Sequence, residues 1–543
     1  MLDEIHIRQR ITALRLKAAQ KYDIIPEKCH VGHVVLQAML EAPARVHQIE
    51  GVSGQSETNL SVATRSMRLA SAMRNSGIQI NDHVVNMGHN HLDLGIPYYA
   101  CHLNGYSQCA IDPRMTLLDL TSLFGHIDPK IIFAPQEKLE DIKTALDKNN
   151  KENVRIVIFD DKKNDLEAFI AEHKGTDEKF RPAEFDQAKT IAWLMLTSGT
   201  TGLPKVAIIP FETLLNGLCL WWAPFTKQCS VIMAITTIQW MSSLYFFISS
   251  PIMKCTRVQC SMPMTPQLLV MVINKYRPNI TVWSPFLLAQ FINAVGSHVD
   301  LSCFTYIAIG GSAIDKALYD KFSEKCDAYL YLVYGMTELL VPVFDFKETT
   351  PFGSTGVPFD RFQYKLVDDD GTILEKPHES GELWIKGDAF FKGYLNNPEE
   401  TDKLLTNDGW LKTGDIFYRD ENNYYFFVER KRLLIKYTGF WISPLQLEDV
   451  IKKHPGVEEV CVVGIPNKET NQTPVAVIVR KKDHNVQPQQ IFDLVKSEMP
   501  EIKQIHGGLF FVDALPETPS GKAHRAKIRD MAVTAEKIFP VKQ

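Results

Sequence analysis

Hydrophobic and polar residues alternate along this chain with two different periods. Short runs rich in β-branched and aromatic residues, such as residues 155–159 and 190–196, have the length and composition of buried strands. Longer amphipathic stretches lie between such runs, for example residues 317–325, and their spacing predicts helices. This alternation predicts an α/β fold with mainly parallel sheets.

The pattern restarts after Glu429-Arg430-Lys431-Arg432, which follows a strand-like run at residues 424–428. The later pattern predicts a helix, two strands and a second helix, at residues 445–453, 459–464, 473–480 and 488–499. Four charged residues in a row favour solvent, as a hinge requires. We therefore predict a large N-terminal domain of layered sheets and helices, residues 1–428, and a smaller, mobile α+β C-terminal domain, residues 429–543.

Composition narrows the class of protein. The chain is 45% hydrophobic and 23% charged, with a formal net charge of −5, which is the profile of a globular protein. Lys and Arg form no basic footprint, so no nucleic-acid partner is expected. The ten cysteines are scattered without the spacing of a metal or redox site, which favours reduced thiols in an intracellular protein.

Residues 228–253 form a long segment without charge, enough to span a bilayer of about 30 Å. The segment also contains several Thr and Ser residues, Gln239 and Pro251. This polar content favours a buried element that faces a pocket, and membrane insertion is the weaker alternative. We expect no integral membrane segment.

A small-residue loop follows the predicted strand at residues 190–196. The two glycines allow close backbone approach to a ligand, and the hydroxyl and ammonium groups suit phosphate oxygens. The alternative is a polar surface turn. The loop residues that we assign to nucleotide binding are Thr197, Ser198, Gly199, Thr200, Thr201, Gly202 and Lys205.

This loop resembles the signature of the acyl-adenylate-forming superfamily, which includes acyl-CoA synthetases, coumarate-CoA ligases, beetle luciferases and peptide-synthetase adenylation domains. The further motifs, in the order of that family, are Gly310-Gly311-Ser312-Ala313, Tyr334-Gly335-Met336-Thr337-Glu338, Gly409-Trp410-Leu411-Lys412-Thr413-Gly414-Asp415, Glu429-Arg430 and Pro519-Ser520-Gly521-Lys522. Several matches in order over residues 60–530 are strong evidence although each motif alone is weak. The C-terminal half looks closest to the insect luciferase-like branch of acyl-CoA synthetases.

The resemblance implies a role for each matched residue. Gly311 and Ser312 would contact the nucleotide, Tyr334 would stack on adenine, and Thr337 would reach the α-phosphate. Glu338 and Thr197 are the predicted Mg²⁺ residues. Asp415, placed after a glycine in a predicted turn, would bind the ribose hydroxyls, and Arg430 would reach ribose and phosphate.

The resemblance also implies that two lysines act in two successive steps, adenylation of the acid and transfer of the acyl group to a thiol. Lys522 would neutralise charge during adenylation, and Lys436 would be presented when the C-terminal domain turns its other face inward. The predicted catalytic residues are Lys522, Lys436, Thr337 and Glu338.

The sequence departs from the family pattern at three places. Gln239-Trp240-Met241 stands where related ligases and luciferases commonly have His-His or a related aromatic pair. Val206 replaces the usual glycine after Lys205, and Trp441 replaces a glutamine that many relatives carry. The predicted substrate residues are Trp240, Met241, Gly310 and Met336, with apolar walls from Tyr245, Phe246, Phe247, Leu339 and Leu340. An apolar acid, such as a medium or long fatty acid, fits such walls, and the alternative is that these aromatics are core.

These features predict an AMP-forming acyl-CoA synthetase that uses ATP, Mg²⁺ and coenzyme A as co-substrate with a small-molecule acid. Luciferase-type monooxygenation of the adenylate is the alternative, since the adenylation motifs are shared. A non-enzymatic protein that binds an apolar ligand on the same fold is expected to have lost Lys522, Asp415 or Glu338. All three residues are present. The last residues are not a Ser-Lys-Leu type signal, so cytoplasm is expected over the peroxisome. The pattern does not predict the oligomeric state.

Overall fold

A computed structural model describes residues 4–197, 205–222, 229–262, 264–294, 299–347, 349–388, 390–438, 440–482, 484–517 and 523–540. The chain forms two compact units. The first contains Met1–Thr350 and Gly387–Lys403, and the second contains Pro351–Lys386 and Leu404–Gln543. These units are defined by packing, whereas the predicted boundary at Glu429 concerns a hinge, so that boundary stays a prediction.

The first unit is built from helices and strands that alternate along the chain. Its helices are α1 Glu4–Tyr22, α2 Val31–Glu41, α3 Asn59–Asn75, α4 Gly95–Asn104, α5 Leu117–His126, α6 Leu139–Lys148, α7 Leu166–Glu172, α8 Phe211–Trp222, α9 Met241–Ile252, α10 Pro266–Tyr276, α11 Pro285–Ala294, α12 Lys316–Ser323 and α13 Pro398–Leu404, which ends at the unit boundary. Its strands are β1 Val46–Glu50, β2 Ser56–Thr58, β3 His83–Met87, β4 Ser107–Ile111, β5 Pro129–Ala134, β6 Arg155–Ile158, β7 Ile191–Thr197, β8 Lys205–Pro210, β9 Val231–Ala234, β10 Thr256–Gln259, β11 Ile280–Trp283, β12 Tyr306–Gly310, β13 Tyr329–Val333 and β14 Phe344–Asp345.

Two mainly parallel sheets organise the first unit. One has the strand order β13-β12-β11-β9-β10-β1-β2, and only the β1–β2 pair in it is antiparallel. The other has the order β6-β5-β3-β4-β7-β8, with an antiparallel β7–β8 pair at its end. Every residue of β4 and β12 is buried, as expected for parallel strands covered on both faces. The predicted parallel α/β architecture is confirmed for this unit.

The long uncharged segment forms two short elements of the first unit. Its residues make the buried strand β9 and the largely buried helix α9, and α9 has only 12 residues. Among the residues that the structure describes, no helix has the length and apolar character needed to cross a bilayer.

The described residues of the second unit form two sheets and three α-helices. Its strands are β15 Ser354–Pro358, β16 Gln363–Val367, β17 Ile373–Leu374, β18 Gly381–Lys386, β19 Leu411–Arg419, β20 Tyr425–Arg430, β21 Ile435–Tyr437, β22 Phe440–Ile442, β23 Val457–Asn467, β24 Asn471–Arg480 and β25 Leu509–Val512, and its helices are α14 Pro444–Lys452, α15 Pro488–Glu498 and α16 Arg525–Thr534. The helix-strand-strand-helix pattern predicted after Glu429 is confirmed as α14, β23, β24 and α15.

The two sheets of the second unit are mainly antiparallel. This agrees with the α+β domain predicted after Glu429, whereas the sheet of residues 354–430 belongs to the region for which mainly parallel sheets were predicted. One sheet runs β15-β20-β19-β18-β16-β17, and the other runs β22-β21-β24-β23 with β25 parallel to β24. Strand β18 alternates buried and half-buried residues, the pattern of a sheet with one covered face. No crossover helix separates β19 from β20, so an antiparallel arrangement is the geometry available to them.

Each unit has its own apolar core. In the first unit one cluster lies between β3–β5 and helices α5 and α6, and another joins Trp283 and Ile307 to α10, α11 and α12. In the second unit Ile435, Ile442 and Ile478 pack against α14 and α15. The packing of these cores fixes the positions of the strands that carry the predicted site residues.

Candidate active site

Two of the predicted motifs begin at neighbouring strand ends. Gly310 and Val333 are paired across the parallel strands β12 and β13. The segments that leave these strands, Gly311-Ser312 and the one beginning at Tyr334, therefore start side by side. The region beyond the carboxyl ends of parallel strands is where α/β proteins bind ligands.

Trp240 lies against Gly311 at this edge. Gly311 has a φ of +93°, and a Cβ atom placed on it would meet the Trp240 indole at 3.1 Å. A side chain at this position would be both strained and crowded, so glycine is required. The predicted nucleotide residue Gly311 and the predicted substrate residue Trp240 are thus brought into contact.

The Tyr334–Glu338 motif places one acid in a buried position. Glu338 is only 5% exposed and accepts a hydrogen bond from the Tyr394 hydroxyl. Thr337 is half-buried in a turn just before it, and the half-buried Tyr334 ring lies 5.9 Å from the Phe344 ring. The buried carboxylate offers oxygen ligands to a cation, and the Thr337 hydroxyl can donate a hydrogen bond to a phosphate oxygen. The role of Tyr334 with adenine stays a prediction.

The ends of the predicted phosphate loop are paired. Thr197 closes β7 opposite Lys205, the first residue of β8. Ser198, Gly199, Thr200, Thr201 and Gly202 lie outside the described residues. The Lys205 ammonium forms an ion pair with Glu400 and lies 5.0 Å from the centre of the Tyr394 ring. Hydrogen bonds from Lys205 and Lys403 hold the pKa of the Glu400 carboxyl below its usual value.

The predicted apolar walls fall into two groups. Trp240, Met241 and Met336 are half-buried, as residues facing a pocket are expected to be. The others are buried and belong to the core: Tyr245, Phe246, Phe247, Leu339 and Leu340. For these five residues the alternative interpretation, that they are core, agrees with the structure.

In the second unit Asp415 and Arg430 are neighbours. They are paired residues of β19 and β20, and an Asp415 carboxylate oxygen lies 3.6 Å from Arg430 Nε. The predicted turn around Asp415 is wrong, because Asp415 lies inside the long strand β19. Gly414 adopts a φ of +69° at an irregularity in the pairing of β18 with β19, and its N–H donates to Glu382 at 3.1 Å. A bulge of this kind turns a side chain without ending the strand.

Glu429 does not have the exposed position predicted for the four-residue charged run. It is 4% exposed, and its carboxylate accepts hydrogen bonds from the backbone N–H groups of Arg430 (2.8 Å) and Leu445 (3.2 Å). Burial raises the pKa of the Glu429 carboxyl. Of the four residues of the run, Arg432 is exposed, and Arg430 and Lys431 are half-buried.

The other predicted residues of the C-terminal region are Lys436, Trp441 and Lys522. Lys436 is exposed on β21, and its backbone N–H donates to the Gln472 side chain at 2.9 Å. Lys522 lies outside the described residues, as does the side chain of Trp441. The roles of the two lysines stay predictions.

Two residues of the candidate site, Tyr394 and Glu400, were not identified from the sequence. Tyr394 lies 56 residues from Glu338, and Glu400 lies 195 residues from Lys205. The only local signal is the helix start at Pro398-Glu399-Glu400, which predicts a capped helix and no contact. Only the tertiary fold brings these residues to the predicted site.

The chain matches known proteins along most of its length. The AMP-binding enzyme family matches residues 37–395, and the AMP-binding enzyme C-terminal domain matches residues 446–522. The chain is 29% identical over 493 residues to luciferin 4-monooxygenase of Photinus pyralis, covering 87% of this chain and 88% of that protein. It is 26% identical over 541 residues to 4-coumarate-CoA ligase 1 of Narcissus pseudonarcissus, covering 96% of each.

Solved structures show the same fold. The ATP-bound crystal structure of MatB from Rhodopseudomonas palustris superposes with a TM-score of 0.82 at 20% identity, covering 93% of this chain and 99% of that one. The fold and the motifs define an α/β enzyme class with a large N-terminal domain and a smaller C-terminal domain. The chain belongs to the AMP-binding enzyme family, part of the superfamily of adenylate-forming acid–CoA ligases and luciferases.

Proposed function

We propose that this protein activates an apolar carboxylic acid, of medium or long fatty type, as its acyl-adenylate and transfers the acyl group to coenzyme A. The observation that carries the proposal is the contact of Trp240 with Gly311 beside the Tyr334–Glu338 motif. It joins an apolar surface to polar groups suited to a nucleotide. The similarity to 4-coumarate-CoA ligase supports the thioester product.

In the first half-reaction a carboxylate oxygen of the acid attacks the α-phosphorus of ATP, and pyrophosphate leaves. The protein supplies position and charge. Lys205 and the preceding loop bind phosphate oxygens, Tyr334 packs on adenine, and Asp415 and Arg430 bind the ribose. Lys522 stabilises the charge that develops between the two reactants. In the second half-reaction a thiol sulfur attacks the acyl carbon and AMP leaves.

The Glu338 carboxylate fits the needs of Mg²⁺, which prefers oxygen ligands and keeps several waters, and the Thr337 hydroxyl is left to reach the α-phosphate. We assign the ion to Glu338 together with the phosphates of the nucleotide. The predicted ligand Thr197 ends β7 directly before the phosphate loop. Bound there, Mg²⁺ would neutralise phosphate charge.

The test is acid-dependent pyrophosphate release measured over a panel from acetate to oleate, with coumarate included. We expect activity that requires Mg²⁺, favours apolar acids and, with coenzyme A present, yields acyl-CoA. No release with any acid contradicts the adenylating function. A preference for coumarate overturns the substrate class and leaves adenylation standing.

Oxygen is the second candidate acceptor, because the chain is similar to luciferin 4-monooxygenase. Light emission from added luciferin, ATP and Mg²⁺ would support this alternative. We expect acyl-CoA and no light.

A further inference from the structure

A short segment of the chain pairs with the strand that begins at Lys205. Ile208 of β8 donates to the Gly393 carbonyl and accepts from the Lys392 N–H, both at 2.9 Å. The Leu395 N–H donates to Val206 at 2.8 Å, and Ala207 faces Tyr394 in an antiparallel bridge. Residues 392–395 thus extend the sheet edge next to Lys205, and their backbone is fixed by that ladder.

The position of Tyr394 is fixed from a second side. The Tyr394 N–H donates to the hydroxyl of Thr401 on α13 at 2.9 Å. Gly393 has a φ of +120°, and a Cβ atom there would lie 2.8 Å from Thr401 Cγ2. The close approach of α13 to this segment therefore requires glycine. Tyr394 is 6% exposed, so its ring has little freedom.

The Tyr394 side chain contacts two predicted site residues at once. Its hydroxyl donates to the Glu338 carboxylate, and its ring lies 5.0 Å from the Lys205 ammonium, near enough for a cation–π interaction. Lys205 is predicted to bind phosphate, and Glu338 is predicted to bind Mg²⁺. One rigid side chain therefore sets the orientation of both groups.

We infer that Tyr394 is a positioning residue, which holds the Glu338 carboxylate in the orientation that binds Mg²⁺ with the nucleotide. The inference rests on the proposed function, because it assigns Glu338 to the metal. A hydrogen bond to a metal-binding carboxylate raises metal affinity by limiting its rotation, and loss of such a partner commonly costs 10- to 100-fold in affinity.

The test uses the full chain and the variant Tyr394→Phe, which keeps the ring and removes the hydroxyl. ATP binding is measured by calorimetry over a series of Mg²⁺ concentrations and in EDTA. We expect the Mg²⁺ concentration for half-maximal ATP binding to rise about 10-fold or more, while ATP binding in EDTA changes little. The matched control is Tyr276→Phe, which also removes one hydroxyl hydrogen bond, to the Gly51 carbonyl at 3.0 Å. It should leave the Mg²⁺ dependence unchanged.

A second measurement separates positioning from mere packing. If Tyr394 acts through Glu338, Tyr394→Phe should not shift the Mg²⁺ dependence further in a Glu338→Gln background. An unchanged Mg²⁺ dependence in Tyr394→Phe, an equal shift in Tyr276→Phe, or additive effects of the two site substitutions would overturn the inference. Binding of Mg²⁺ and ATP without activation of any acid would instead contradict the proposed function, and the Tyr394 comparison would still be readable.

Discussion

Trp240 and Phe247 stand at the start and in the middle of the same helix, yet their surroundings differ. Trp240 is the N-cap residue of α9, half-buried, and rests on Gly311. Phe247 is 4% exposed, stacks on Tyr98 with ring centroids 4.7 Å apart, and lies 3.9 Å from the Arg257 guanidinium. We propose that Trp240 contacts the acid, whereas the packing of Phe247 shows that it stabilises the fold.

We expect Trp240→Ala to enlarge the acid pocket. The ratio of kcat/KM for a long acid to that for a short acid should rise about 10-fold, the scale of a change of one or a few methylene groups in an apolar pocket. Pyrophosphate release with oleate and with butyrate measures this ratio. An unchanged ratio would mean that Trp240 does not line the acid pocket.

Phe247→Leu is the control for this experiment. It should lower the free energy of unfolding by about 1–3 kcal/mol, because it leaves space in a packed core, and leave the acid preference unchanged. A change in acid preference equal to that of Trp240→Ala would place Phe247 in the pocket as well.

At the scale of elements, α2 and α4 pack around buried histidines. A Cβ atom on Gly32 of α2 would lie 2.3 Å from the carbonyl oxygen of His102 on α4, so the two helices can approach this closely only at a glycine. His30 caps α2 by accepting from the Gly32 N–H at 3.1 Å, and its ring lies 4.1 Å from that of His33. Burial lowers the pKa of His33 and of His102 to about 4, and lowers that of His30 strongly.

The free energy of unfolding of the first unit should therefore fall on acidification. Below about pH 6.5 an unfolded histidine takes up a proton, whereas buried His33 and His102 stay neutral down to about pH 4. Each of the two removes about 1.4 kcal/mol per pH unit over that window and has no effect above it. Denaturant unfolding between pH 4 and 8 measures the slope.

His102→Gln should reduce that slope by the contribution of one histidine. His102 Nδ1 donates to the Tyr98 carbonyl at 2.8 Å, and Nε2 accepts from Trp193 at 3.2 Å, and a glutamine amide offers the same donor and acceptor. The exposed His378→Gln serves as control and should leave the slope unchanged. Equal slopes in all three proteins would show that buried histidines do not set the acid sensitivity.

At the scale of the whole molecule, the two predicted steps should depend on different lysines. Lys522→Ala should reduce acyl-adenylate formation by about 10²–10³, the usual loss for one preorganised charge, and spare transfer from supplied acyl-AMP to coenzyme A. Lys436→Ala should show the opposite pattern. Single-turnover assays of each half-reaction measure both, with the exposed Lys468→Ala as control.

Equal impairment of both half-reactions by both variants would contradict a mobile C-terminal domain without contradicting adenylation.

The substitution Glu429→Pro would not test the predicted hinge by itself. Glu429 is paired with Ile416 in the β19–β20 ladder and holds the Leu445 N–H at the start of α14, so proline would disrupt the second unit itself.

The sequence by itself determined the elements and the family. The apolar runs that became β6, β7 and β24 are continuous in the chain, and the motifs at Gly310, Tyr334 and Asp415 are local strings whose chemistry can be read without a fold. Hydrophobic periodicity depends on neighbours a few residues away, so such features can be predicted from one sequence.

Only the tertiary structure decided which residues meet. The pairing of Glu338 with Tyr394, the ion pair of Lys205 with Glu400 and the contact of Trp240 with Gly311 join distant parts of the chain. The burial of Glu429 and the bulge before Asp415 likewise depend on strand pairing and register. Contacts of this kind arise from the packing of whole elements, and residue spacing carries no record of them.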